Sequence, residues 1–354
     1  MASRAPVEPV KRSAPARVMV VDDSVVARAV ITRMIDGNRR FAVAAAVPNA
    51  DAALDFLRKE RVDAIILDLE MPGIDGLTAL PDLLAAGRGA RVLIVSSSAG
   101  EGAAVTIQAL ALGAADTLVK PGAGSFAGRF AEVLEEKLTR LVFEAEDHGA
   151  ATVPAPPENL IDGFDILAIG ASTGGIHALS QMLRVLPRTM TQPILVTQHL
   201  PHSFMPYFAA QLSLISGRPC DVAQDRARIV PGRILIAPGD AHMRCISIGK
   251  GAAIRLTHEA TVSGCTPSVD PMLESVAEVY GARGLAVILS GMGRDGLDGA
   301  RKLAAVGGRI AVQDKETSVV WGMPGAVAEA GVANVILPPD EIGSWIAGQR
   351  RRAA

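Results

Sequence analysis

Short apolar runs alternate with amphipathic stretches through the first part of the chain. Residues 17–21, 41–47, 64–67, 92–95 and 117–119 read as strands, each a brief run rich in Val, Ile, Leu and Ala. Apolar residues at helical spacing set in near Ser24, Ala50, Leu77, Gly102 and Ser125. Strand–helix alternation predicts a parallel sheet covered on both faces, and five such units match a flavodoxin-like, doubly wound domain.

The pattern breaks after the last of these helices, where residues 150–157 contain three prolines and no periodicity; such a stretch reads as a semi-rigid linker. A second strand–helix series follows. Strands are expected over 166–169, 194–197, 285–289 and 309–312, and helices over 176–185, 204–214, 271–280 and 297–306. Between them, short β-like pieces at 233–237, 244–248 and 253–256 are separated by Pro-Gly and Gly-Lys-Gly turns, which predicts hairpins. The expected organisation is therefore α/β with two doubly wound parallel-sheet domains, the second carrying an added β-hairpin region. Residues 1–16 are assigned to a flexible tail, 17–140 to the first domain, 141–163 to the linker and 164–350 to the second domain.

A length of 354 residues supports two buried cores, and with only 3% aromatic residues those cores must be aliphatic. The net charge of −2 argues against nucleic-acid binding; the basic clusters at Lys11 and Arg12, Arg39 and Arg40, and Arg350 to Arg352 read as solvated ends or turns. Cys220, Cys245 and Cys265 form neither a disulfide framework nor a zinc-ligand spacing, as expected of a reducing compartment. The N-terminus lacks an apolar signal region, and nowhere do 18 uncharged apolar residues run together. A cytoplasmic protein without membrane insertion is expected, and a monomer.

Ligands of open α/β sheets bind at the carboxyl ends of the strands. In the first domain Asp22 and Asp23 end the first strand, Asp68 the third, Ser96 the fourth and Lys120 the fifth. Converging carboxylates raise one another's pKa unless a hard cation neutralises them, and Mg²⁺ suits few protein oxygens plus a phosphoryl group. A lysine would pair with the phosphate, a hydroxyl would hydrogen-bond it, and Asp68 could accept the phosphoryl group as an acyl phosphate. Taken singly, a strand-end Asp is more often a helix cap and Lys120-Pro121 a surface turn. Four strand ends in the right order, followed by the loop Met71-Pro72-Gly73-Ile74-Asp75-Gly76, favour a metal and phosphate site.

Residues 17 to about 140 resemble a bacterial response-regulator receiver domain, on Val21-Asp22-Asp23-Ser24, Leu67-Asp68-Leu69-Glu70-Met71-Pro72 and Val119-Lys120-Pro121. The resemblance implies Mg²⁺ on Asp22, Asp23, Asp68 and the backbone carbonyl of Glu70, phosphorylation of Asp68, and Ser96 as the switch hydroxyl beside Lys120. Many receivers carry an aromatic switch residue where this chain has Thr117, a departure that puts hydroxyl–aromatic coupling in question.

In the second domain Gly170-Ala171-Ser172-Thr173-Gly174-Gly175 lies between an expected strand and an expected helix. That context fits a nucleophile elbow, G-x-S-x-G, with the helix N-terminus lending positive charge to an oxyanion. A phosphate-binding loop would need Lys-Ser/Thr where Ile176 follows, and a dinucleotide fingerprint fails at Ser172; a purely structural glycine turn stays open. A serine needs a base, and the base an orienting acid. Of six histidines, His148 falls in the linker, His177 sits on the helix that the elbow opens, His202 faces solvent or caps, His242 lies in the hairpin region and His258 in a polar loop. His199 is placed best, at the carboxyl end of a strand. Asp295 falls in the glycine-dense loop 290–296 after another strand, where the competing role is N-cap of the helix near Leu297.

Residues from about 164 to 347 resemble the catalytic domain of the chemotaxis protein-glutamate methylesterase (CheB) family. The carriers are Gly170 to Gly175, Thr197-Gln198-His199-Leu200-Pro201, Ile236 to His242, Ser290 to Gly296 and Trp321-Gly322-Met323-Pro324. The resemblance implies hydrolysis of glutamyl methyl esters on chemoreceptors by Ser172, His199 and Asp295, with the Met292 backbone N–H among the oxyanion donors and no cofactor for the esterase. It also implies glutamine deamidation, a chemotaxis histidine kinase as phosphodonor, and a receiver that covers the cleft until phosphorylated. A hydrolase of another signalling array and a non-catalytic phospho-dependent adaptor are the competing readings.

Overall fold

The computed structural model describes residues 14–96, 101–120, 127–143 and 163–348. Most of the expected tail and linker, Pro121, and Gln349 onward lie outside these residues. The first domain runs β1 (Ala16–Val21), α1 (Val25–Asp36), β2 (Phe41–Val47), α2 (Ala50–Leu57), β3 (Ala64–Asp68), α3 (Gly76–Gly87), β4 (Arg91–Ser96), α4 (Glu101–Leu112), β5 (Asp116–Val119) and α5 (Ala127–Phe143). Its five strands pair in the order β2-β1-β3-β4-β5, all parallel. That is the flavodoxin-like winding, with its switch point between β1 and β3. The inner strands are buried on both faces, which is why they read as continuous apolar runs. Helix α5 continues to Phe143, past the boundary expected at residue 140.

The second domain runs β6 (Ile166–Ala171), α6 (Gly175–Val185), β7 (Ile194–Gln198), α7 (Met205–Ser216), β8 (Cys220–Val222), β9 (Ile234–Ile236), β10 (His242–Ile248), β11 (Gly251–Thr257), α8 (Val269–Tyr280), β12 (Gly284–Ile288), α9 (Leu297–Ala305), β13 (Arg309–Gln313), α10 (Gly322–Glu329), β14 (Val335–Leu337) and α11 (Pro339–Gly348). Seven strands form one parallel sheet in the order β14-β13-β12-β6-β7-β9-β8, and β10 pairs antiparallel with β11. The expected hairpin is therefore β10–β11 alone. Residues 234–236 instead pair parallel with both β7 and β8 as a fully buried strand. The Pro231-Gly232 turn that suggested a hairpin only delivers the chain to the sheet. The chain winds outward from β6 through β7, returns to β12, and then winds the other way, so the switch point lies between β6 and β12.

Candidate active site

The receiver-like sheet gathers its polar residues where expected. Asp22 and Asp68 are each 2% exposed at the carboxyl ends of β1 and β3, and Asp23 beside them is exposed. Neither buried carboxylate caps the following helix, since Ser24 and Asp75 do that. Asp68 Oδ1 accepts from the Glu70 N–H at 3.1 Å and Oδ2 accepts from Lys120 Nζ at 2.5 Å. Asp22 Oδ1 accepts from the Ser24 N–H at 2.8 Å, while its buried Oδ2 accepts no hydrogen bond among the described residues and has Lys120 Nζ 3.6 Å away. Burial pushes the Asp68 carboxyl up, against the bonds from Lys120 and Glu70 and with a further upward push from Asp22. Carboxylate oxygens of Asp22, Asp23 and Asp68 lie within 4.8 Å of one another. An unsatisfied buried oxygen in such a trio fits a hard cation.

Ser96 Oγ lies 2.5 Å from Thr106 Oγ1 on α4, which donates to the Gly102 carbonyl at 2.7 Å. Because the Thr106 proton is committed there, Ser96 is the donor of the pair. Thr117 is buried with no hydrogen-bond partner for its hydroxyl among the described residues.

In the second sheet the switch point brings three strand ends together. The Ser172 N–H donates to the Ser290 carbonyl at 3.0 Å and the His199 N–H to the Ala171 carbonyl at 3.1 Å, so backbone bonds lock the loops after β6, β7 and β12 side by side. The turn is strand–turn–helix as expected, but the left-handed residue is Gly174 (φ +76°), not the serine. A Cβ on Gly291 would lie 2.8 Å from the Ser172 Cβ, so that loop must be glycine to pass the serine.

His199 Nε2 and Asp295 Oδ2 are 2.7 Å apart, which leaves Nδ1 as the ring nitrogen not engaged by Asp295. Asp295, 1% exposed, is not the N-cap of α9; Gly296 is. Its carboxylate caps α8 from a distance, accepting from Ser268 Oγ at 2.6 Å and the Val269 N–H at 2.7 Å. Burial alone would raise Asp295; the His199, Ser268 and Val269 bonds outweigh it and hold the carboxyl well below the usual range. Burial would likewise lower His199, but the Asp295 bond and the neighbouring Cys265 push the imidazole well above its usual value. His242 is the buried histidine behind this arrangement, its Nδ1 accepting from the Ser268 N–H at 2.9 Å. Of the remaining histidines, His148 lies outside the described residues, His202 and His258 are exposed, and His177 Nδ1 meets the Ala111 carbonyl at 3.0 Å.

Ser172, His199 and Met292 line one cavity of about 400 Å³ together with Cys265. No hydrogen bond joins Ser172 to His199 among the described residues. The opposite wall is the first domain: Ala115, Asp116, Lys137 and Arg140. There the Gly174 N–H donates to the Ala115 carbonyl at 2.9 Å, and Asp116 Oδ2 accepts from Thr173 Oγ1 at 3.1 Å and Lys137 Nζ at 2.7 Å. Ser268, Asp116, Lys137 and Cys265 carry no short-range sequence signal for these positions, because only the folded loops bring them to the site.

Comparison with known proteins follows the same division of the chain. A CheB methylesterase family model matches residues 167–346, and a response regulator receiver domain model matches residues 18–125. Protein-glutamate methylesterase/protein-glutamine glutaminase 2 of Caulobacter vibrioides is 44% identical over 347 residues, covering 96% of this chain and 100% of its own. The chain belongs to the CheB methylesterase family. The protein-glutamate methylesterase/protein-glutamine glutaminase of Azospirillum brasilense is 39% identical over 96% of this chain and 94% of its own. The crystal structure of the Thermotoga maritima CheB methylesterase catalytic domain superposes with a TM-score of 0.51 at 36% identity, covering 52% of this chain and 98% of that one. This CheB-family chain joins a receiver to an esterase domain.

Proposed function

We propose that this chain hydrolyses glutamate γ-methyl esters, and deamidates glutamines, on chemoreceptors under the control of phosphorylation at Asp68. The observation that carries the catalytic part is the His199–Asp295 pair at 2.7 Å, set at the sheet's switch point beside Ser172. Ser172 Oγ attacks the ester carbonyl as His199 Nδ1 takes its proton, and Asp295 stabilises the imidazolium that forms. Methanol leaves with that proton, water then cleaves the acyl-enzyme, and the product is a carboxylate. With a carboxamide in the same place, the leaving group is ammonia. The Ser172 N–H is already spent on Ser290, so the oxyanion falls to neighbouring N–H groups, with Met292 on the cavity wall as the first candidate. Each such donor is worth roughly 3 kcal/mol of barrier.

The regulatory part rests on the receiver wall. Asp68 attacks the phosphorus of a kinase phosphohistidine, and Asp22, Asp23, Asp68 and the Glu70 carbonyl would hold Mg²⁺, which neutralises charge during that transfer. The new phosphoryl oxygens draw Lys120 and Ser96 toward Asp68. Ser96 must then release Thr106 on α4, and Lys120 follows β5; α4, β5 and the turn between them carry Ala111, Asp116 and Ala115. Loss of those contacts opens the cavity to a receptor helix. Methanol release from methylated receptor membranes tests the catalytic part: wild type releases methanol, Ser172→Ala does not, and equal rates would remove Ser172 as nucleophile.

A further inference from the structure

Cys265 has no part in the chemistry above, yet it stands at its centre. Its Sγ, a ring nitrogen of His199 and a carboxylate oxygen of Asp295 lie within 4.8 Å of one another. The loop that carries it is tied down by its own bonds: the Cys265 N–H donates to Ser263 Oγ at 3.3 Å, and Thr261 Oγ1 donates to the Cys265 carbonyl at 3.3 Å. The thiol is half-buried and lines the same cavity of about 400 Å³ as Ser172, so small solutes reach it. The other two cysteines are different. Burial pushes both Cys220 and Cys245 up to about 12, so their thiolates form reluctantly.

Thiolate, imidazole and carboxylate together make the donor set of a borderline-soft divalent cation. Tetrahedral zinc places an S and an N ligand about 3.5 Å apart. The cluster therefore has to shift by little more than 1 Å, within reach of a cysteine on a polar loop. We infer that His199, Cys265 and Asp295 form an inhibitory site for a thiophilic divalent cation such as Zn²⁺, with water or the Ser172 hydroxyl in the fourth position. The metal takes Nε2 of the neutral imidazole, whose one proton moves to Nδ1, and the thiol gives up its own proton, so one proton passes to the buffer. With the imidazole ligated, no base remains for Ser172. The binding claim stands on the three side chains alone; the inhibition claim rests on the proposed esterase reading.

The test uses the full chain, stripped with chelator. Co²⁺ is titrated and the near-ultraviolet thiolate-to-cobalt charge-transfer band is read, then Zn²⁺ is competed against it. In parallel, methanol release is measured with and without Zn²⁺, each variant against its own metal-free rate. We expect the cobalt band in wild type, its loss in Cys265→Ser with at least 100-fold weaker Zn²⁺ binding, and its persistence in Cys245→Ala. Zn²⁺ should inhibit wild type reversibly and leave the ratio near one in Cys265→Ser. Absence of the band, or an undiminished band or inhibition in Cys265→Ser, overturns the site. Normal methanol release without a band overturns the metal site and leaves the esterase standing. A Cys265-dependent band in a chain that never releases methanol supports the site and overturns the esterase reading.

Discussion

Each of the two sheets ends in a buried aspartate at its switch point, and the two are in opposite electrostatic condition. Asp68 sits with Asp22, whose Oδ2 accepts no hydrogen bond among the described residues, and burial pushes the Asp68 carboxyl up. Asp295 accepts from His199, Ser268 and Val269 and is held down. On the proposed reading, the first cluster changes state when a cation and a phosphoryl group arrive. The second is complete before substrate arrives, which is what preorganised catalysis requires. One winding of the chain thus yields a switch where polar demand is left open, and an active site where it is met.

The most severe break in this contrast is removal of the nucleophile. Ser172→Ala should lower methanol release by about 10⁴-fold or more while leaving phosphorylation of Asp68 intact, measured on receptor membranes and by phosphoprotein gel. Asp295→Asn should cost roughly 10³- to 10⁴-fold in kcat, because the imidazole loses the partner that fixes its tautomer. The same variant should lose about 3 kcal/mol in urea unfolding, since α8 and His199 both lose a charge-assisted bond. Asp22→Asn should do the opposite: stability without metal is kept or gained, while the stabilisation that Mg²⁺ gives to the parent chain disappears. A loss of stability in both variants would erase the distinction between the two clusters.

The pH dependence follows from the same contrast. The base must be neutral, and the Asp295 bond and Cys265 outweigh burial to raise His199, so kcat/KM should climb with pH through and beyond about 6.5. For stability, a raised histidine contributes below its unfolded value and loses that contribution as pH rises through the folded one. A depressed Asp295 contributes above about 3.9 and loses it as pH falls through its folded value. A profile already flat at pH 6 would contradict the pair as described. The smallest effect is at the wall between domains. Asp116→Ala removes the acceptor of Thr173, one hydrogen bond of about 1 kcal/mol, and should raise unphosphorylated methanol release about fivefold.

Most of the parallel framework was legible because buried strands advertise themselves: the runs at 41–47 and 64–67 coincide with β2 and, to one residue, β3. Strand-end logic also led to Asp22, Asp68, Ser172, His199 and Asp295, since the winding brings those positions together. What the sequence hid was tertiary. β9 looked like a hairpin arm because its turn chemistry is local while its two parallel partners are distant. The competing role for Asp295 was a cap of α9; it caps α8, and no local pattern encodes a cap supplied across the sheet. Cys265 read as one odd thiol, because its proximity to His199 exists only once two loops have met.

The link between the two clusters can be read in one assay: methanol release by the full chain from methylated receptor membranes, with and without a small-molecule phosphodonor and Mg²⁺, in wild type and Asp68→Asn. Phosphodonor should raise the wild-type rate severalfold or more and leave Asp68→Asn at the unstimulated wild-type rate. Equal stimulation of both, or none in a wild type shown to be phosphorylated, would contradict control of Ser172 by Asp68.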